Sequence, residues 1–177
     1  MTTLEVLEVL ESFYGPQSAE WPSDPHAFLV WWHCGYPASD AACARGWKAL
    51  KSVVDIATEK ILAVSQARLA EALRAGGMVP ELRAMRLQQI AARVQDELGG
   101  DLTAALAGSV DAARKILKKF PNIADAGADR ILLFAGISPV AAVRSNCPQV
   151  LVRIRLGLER ENYGVTFRGA IEIARIA

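Results

Sequence analysis

The sequence predicts an all-α fold, on three observations. Apolar residues recur three and four positions apart along nearly every segment, the spacing that lines one face of a helix. Sustained two-residue alternation, the mark of a half-buried strand, does not occur. Side-chain caps and first-turn prolines precede the periodic segments and glycines follow them, so helix starts and stops are written in the chain.

Taken in order, Leu4, Leu7, Leu10 and Phe13 open an amphipathic first helix that Gly15-Pro16 ends. Asp24 caps and Pro25 starts a second, running into FLVWWHC, until Gly35-Tyr36-Pro37 breaks it. Its apolar residues go almost all the way round, which places it at the centre of the fold. Ser39 caps a third helix reaching about Leu50, and Thr58 to Val64 and Ser65 to Ala75 form two short helices stopped by Gly76-Gly77. Pro80 starts a long helix in which Leu82, Met85, Ile90 and Val94 turn inward while Arg83, Arg86, Gln88, Gln89 and Arg93 make a wet face; Gly99-Gly100 ends it. Leu102 to Ala107 is a short helical turn, Ser109 caps VDAARKILKKF, and after Pro121 a helix runs from about Gly127 to Phe134. Ser145-Asn146 caps a helix through about Leu158, and Val165 to Ile176 forms a closing helix. With no internal repeat or low-complexity linker, the many short helices suggest two small lobes within a single domain spanning residues 1–177.

A chain of 177 residues with 52% hydrophobic content is long and apolar enough to bury a core, which excludes a disordered segment. Its net charge of +1 gives no global basic signature, so any nucleic-acid surface has to be a local patch. The main concentration is Lys115, Lys118, Lys119, Arg130, Arg153 and Arg155, in contrast to an acidic first helix with Glu5, Glu8 and Glu11. Cys34, Cys43 and Cys147 are too few for a disulfide framework and form no CxxC pair; they read as reduced thiols. A zinc site built from His26, His33, Cys34 and Cys43 lacks ligand spacing, so no metal is expected. MTTLEVLEVLE lacks the basic head and apolar run of a secretory signal, and no segment reaches membrane-spanning length, so the expected location is cytoplasmic, with no membrane partner.

The most informative stretch is ILKKFPNIADAGADRILLFAGISPVAAVRSNCPQVLVRIRLGL, a helix, a Pro-led hairpin, a second helix and then a capped helix ending Arg-Leu-Gly. FLVWWHCGYPASDAACARGWKAL and LRAGGMVPELRAMRLQQIAARV precede it at matching distances. Together these segments resemble the endonuclease III family of helix-hairpin-helix DNA glycosylases, from about Phe28 to Phe167. The resemblance implies a two-lobed helical DNA-glycosylase-like fold, a helix-hairpin-helix at about 109–136, and double-stranded DNA, damaged or abasic, as the partner. In that family the tight turn and the following helix N-terminus aim backbone N–H groups at a DNA phosphate. Carried over, DNA contact falls to Lys118, Lys119, Pro121, Asn122, Ile123, Ala124, Gly127, Arg130, Ser145 and Asn146. Asn122 and Ala124 replace the two hairpin glycines; Asn tolerates left-handed backbone and Ala does so poorly, while Asp125 brings a negative charge towards the phosphate.

The family's chemistry needs a carboxylate that supports departure of an extrahelical base, and its bifunctional members add a lysine nucleophile. The lysine's place falls on Ala126 and the aspartate's on Arg144, and neither side chain performs that role. Arg144 reads instead as a phosphate ligand at the cleft mouth or as a solvated residue near a helix start. Asp40 is a surrogate carboxylate, its plain reading being a favourable charge at a helix N-terminus. His33, beside Trp31 and Trp32, either stacks on a flipped base or is a satisfied core residue. The four-cysteine iron–sulfur loop of many members has no counterpart, so no cofactor is expected. Three readings result: a DNA-binding protein of this fold related to base-excision repair with weak or lost base removal, an active monofunctional glycosylase using a displaced carboxylate such as Asp40 or Asp125, and an all-α interaction module that no longer binds DNA.

Overall fold

The structure, a computed structural model, describes residues 3–16, 18, 21–143, 148–155 and 161–176. Among these residues every regular element is helical: α1 (Thr3–Tyr14), α2 (Pro25–His33), α3 (Asp40–Val53), α4 (Thr58–Ala63), α5 (Gln66–Leu73), α6 (Pro80–Glu97), α7 (Leu102–Ala105), α8 (Val110–Leu117), α9 (Asp125–Phe134), α10 (Gln149–Arg155) and α11 (Tyr163–Ile176).

The caps act as their residue types dictate. Asp24 Oδ1 accepts from the Ala27 N–H at 2.7 Å, and Ser39, Ser65, Asp101 and Ser109 accept in the same way at the starts of α3, α5, α7 and α8. The Asp24 cap launches α2 into the centre of the molecule. Phe28, Leu29, Val30 and Trp31 are buried, and α3, α6, α7 and α9 all pack on this helix. Most of the apolar interior forms one cluster running from α2 to α9, while Val143, Val152, Ala170 and Ile173 form a second one around α10 and α11.

The end of α2 is gripped closely. A Cβ on Gly76 would stand 1.8 Å from the Cys34 carbonyl oxygen, and one on Gly46 would stand 2.4 Å from the same atom, so only glycine lets these backbones meet. The same oxygen accepts from Arg83 Nη1 at 2.5 Å, and Arg83 Nη2 donates to the Gly77 carbonyl. This corrects the N-terminal part of the wet face expected for α6, while Ile90 and Val94 are buried as expected. Arg83 is only 4% exposed and lies in a buried stripe with Ala84, Leu87, Ile90, Ala91 and Val94, while Leu82 and Met85 face outward. Its guanidinium goes inside because two carbonyls at the ends of neighbouring elements supply acceptors there.

Other differences are at the ends of elements. α8 stops at Leu117, because residues 118–124 form the turn, and α9 begins at Asp125, two residues before the expected Gly127. α11 begins at Tyr163, where Asn162 Oδ1 accepts from the Val165 N–H at 3.1 Å. The expected Ser145-Asn146 cap lies outside the described residues, as do 156–160 of the helix expected to reach Leu158. α1 is helical as expected, and Leu4, Leu7, Leu10 and Phe13, its apolar face, are all exposed.

Candidate functional site

The hairpin between α8 and α9 is fixed from both sides. Arg114 Nε donates to Asp129 Oδ1 at 2.6 Å, tying α8 to α9, and that bond holds the guanidinium above its ordinary pKa. Inside the turn, the Phe120 N–H donates to the Leu117 carbonyl at 3.0 Å and the Ile123 N–H to the Phe120 carbonyl at 3.4 Å. Phe120 and Ile123 are buried under it.

The two residues standing for hairpin glycines behave differently. Asn122 has φ 59°, the left-handed region that Asn tolerates. Ala124 has φ −106° and ψ −172°, extended backbone that any residue adopts. The expectation that alanine sits poorly at this place is therefore corrected. Its methyl has no left-handed conformation to accommodate.

Ala124 supplies no side-chain cap to α9, and the first N–H to donate into the helix is that of Ala128, to the Ala124 carbonyl at 2.9 Å. The N–H groups of Ala124, Asp125, Ala126 and Gly127 are thus the donors that a helix start leaves without helical acceptors. Ala124, Ala126 and Gly127 line a pocket of about 390 Å³, together with Lys118, Phe120, Asn122, Ile123, Arg130, Trp32 and Tyr36. Opposite the hairpin, the Trp32 and Tyr36 rings stack at 4.3 Å between centroids with 28° between their planes. Trp32 Nε1 is buried and has no acceptor among the described residues. Tyr36 is not among the residues the sequence marks for function; its only signal there is the i, i+4 spacing of Trp32 and Tyr36 across the end of α2.

Lys118 and Lys119 are exposed, as a surface role requires, but both have partners. Lys118 Nζ lies 2.6 Å from Asp125 Oδ1 and Lys119 Nζ lies 4.0 Å from Glu97 Oε2. The Lys119 carbonyl accepts from Arg93 of α6. Pro121 turns its carbonyl inward, to His33. Arg130 departs from expectation, being 6% exposed. Its guanidinium lies 4.9 Å from the Trp21 ring, 5.3 Å from Trp32, 5.6 Å from Phe134 and 5.7 Å from Phe28, with Nη2 at 3.3 Å from Asp40 Oδ2. Cation–π attraction and the carboxylate stabilise its charge inside, so it is a wall of the pocket rather than part of an exposed basic patch.

Asp40, expected as a candidate surrogate carboxylate, is held against Arg130 at the start of α3. Ala126, at the place that the resemblance gives the lysine, lines the pocket and has a methyl group as its whole side chain. Arg144, at the aspartate's place, lies outside the described residues together with Ser145 and Asn146. His33 is a core residue whose ring nitrogens both face backbone carbonyls. Burial pushes the Cys43 thiol up to about 11 and also raises that of Cys34, so neither supplies a thiolate nucleophile at neutral pH.

No family model and no curated protein sequence matches the chain. Solved structures do. A trapped endonuclease III–DNA covalent intermediate, in an estranged-adenine complex, superposes with a TM-score of 0.72 at 20% identity, covering 98% of this chain and 78% of that one. A non-covalent endonuclease III–DNA complex matches with the same values. The H. pylori 3-methyladenine DNA glycosylase MagIII, bound to 1,N6-ethenoadenine, superposes with a TM-score of 0.67 at 20% identity, over 97% of this chain and 83% of that one. The described residues, whose regular elements are all helical, thus have the same fold as these endonuclease III and 3-methyladenine DNA glycosylase structures.

Proposed function

We propose that this protein binds duplex DNA through the α8–α9 hairpin and has weak or lost base-removal activity. The first turn of α9 carries the reading. Helix α9 starts without a side-chain cap, and three of its four residues with uncommitted N–H groups, Ala124, Ala126 and Gly127, line an open pocket, where an anion both accepts hydrogen bonds and meets the positive end of the helix dipole. The left-handed Asn122 lets the turn bring that backbone close, and Lys115, Lys118 and Lys119 line the adjoining surface. The two endonuclease III structures of the same fold hold DNA, which makes a duplex the natural source of the anion.

The pocket is poor in the groups that remove a base. Ala126 offers no amine for a Schiff base, and Asp40 Oδ2 is engaged by Arg130 at 3.3 Å instead of being free to stabilise a cationic sugar. Arg144 at the aspartate's place would add positive charge where the transition state needs negative charge.

Affinity for undamaged and abasic duplexes across a salt series tests the first half. Log affinity should fall linearly with log salt, by about 0.9 per neutralised phosphate. Absence of salt-sensitive binding overturns the reading and leaves a protein-interaction role. Incubation with alkylated, oxidised and deaminated duplexes tests the second half: the unaltered chain should release little or no base, and the Ala126→Lys/Arg144→Asp variant should trap a borohydride-reducible adduct on an abasic duplex. Efficient release by the unaltered chain would sink the lost-activity half.

A further inference from the structure

His33 is 2% exposed and spans two parts of the fold that are far apart in sequence. Its Nδ1 lies 2.8 Å from the Leu29 carbonyl oxygen, one turn back in α2, and its Nε2 lies 2.8 Å from the Pro121 carbonyl oxygen in the hairpin turn. Two carbonyls call for two N–H donors, and a neutral imidazole has one.

The surroundings decide which carbonyl receives it. The Leu29 carbonyl sits four residues before His33 in α2, where the helix gives it a backbone N–H. The Pro121 carbonyl has no other donor among the described residues, and it is partly buried, so leaving it unbonded would cost the full desolvation of the group. The carbonyl of Lys119, two residues earlier, is held from the other side by Arg93 of α6. The turn is therefore held by carbonyls Lys119 and Pro121 from α6 and α2, while Ala124, Ala126 and Gly127 at the start of α9 line the pocket.

We propose that His33, as its Nε2–H tautomer, is a positioning residue that pins the Pro121 carbonyl to the end of α2 and so sets the distance between the α9 donors and the Trp32–Tyr36 wall. A turn lined with glycines adapts to its ligand by backbone rotation. This one has Asn122 and Ala124 instead, and holds its shape by side chains from neighbouring helices. The inference rests on the reading of the hairpin as the DNA-contacting element.

Two substitutions separate the two ring nitrogens. The amide nitrogen of Gln reaches the place of Nε2, and that of Asn the place of Nδ1. Long-range proton–nitrogen correlation spectra at mildly alkaline pH should show the Nε2–H tautomer. His33→Asn should speed hydrogen exchange of the Phe120 and Ile123 amides about tenfold and weaken low-salt duplex affinity by a similar factor, while His33→Gln stays within about threefold on both. An Nδ1–H tautomer, or equal behaviour of the two variants, overturns the proposal. If the unaltered chain binds no duplex, the DNA reading fails by itself, and the tautomer and exchange rates still decide whether His33 positions the turn.

Discussion

Asn122, at φ 59°, and Ala124, at φ −106°, ask different things of the residue that occupies them. Left-handed backbone costs an L residue about 1–2 kcal/mol, less for Asn, whose short polar side chain bonds locally. Extended backbone costs alanine nothing. Asn122→Gly should therefore leave stability within about 0.5 kcal/mol or raise it, whereas Ala124→Gly should lower it by about 0.5–1 kcal/mol, since glycine's extra freedom in the unfolded chain finds no offset. Urea denaturation of both variants measures this, and a more stable Ala124→Gly protein would show that the turn does need glycine there. Arg130 illustrates the opposite difficulty of reading single residues. Its charge suggested a surface, and only the convergence of Trp21, Phe28, Trp32 and Phe134 with Asp40, from four separate parts of the chain, shows why it is inside.

The first turn of α9 balances two demands of opposite sign. Asp125, at its first position, suits the positive end of the helix dipole and pairs with Lys118 at 2.6 Å, but places a negative charge beside donors that would hold a phosphate. Lys118 is in turn neutralised. Asp125→Asn should raise low-salt duplex affinity and steepen the log–log salt slope by about 0.9, as one more lysine becomes available to the backbone. Thermal unfolding should show a loss of about 0.3–1 kcal/mol from the helix terminus. Weaker binding with an unchanged slope would mean that this turn does not meet the backbone. Elements were the most legible level of this chain, because caps and breakers act locally: Asp24, Ser39, Ser65 and Ser109 cap where their residue types say. The inward face of α6 was not legible, since burying Arg83 depends on the carbonyls of Cys34 and Gly77, whose arrival no helical periodicity records.

At the scale of the whole molecule, the all-α fold class follows from the sequence, while the pocket does not, because its walls come from the end of α2, the turn and α9, joined by packing. His33 links those parts, so its protonation bears on the stability of the entire fold. Burial, reinforced by Arg86 and opposed by the bonds to Leu29 and Pro121, holds its pKa below the ordinary 6.5. Arg86 on α6 is the charged group acting on the ring; Lys118, Lys119 and Asp125 of the hairpin are exposed and paired with one another or with Glu97. The unfolded chain takes up the proton near 6.5 and the folded chain only at lower pH, so between these values the unfolded state binds more protons. His33 thus contributes stability that is complete above 6.5 and lost as pH falls towards its folded value, by at most about 1.4 kcal/mol per pH unit. Free carboxylates titrate near about 4, below the interval that begins at 6.5. His33→Gln keeps the bond to Pro121 without a group that titrates, so the stability of the unaltered chain relative to this variant should decline across that interval in chemical denaturation. A difference that stays flat would mean that the ring accepts its proton as readily folded as unfolded, and one that grows as pH falls would mean that an imidazolium donating to both the Leu29 and Pro121 carbonyls holds the hairpin by charge instead of by a neutral tautomer.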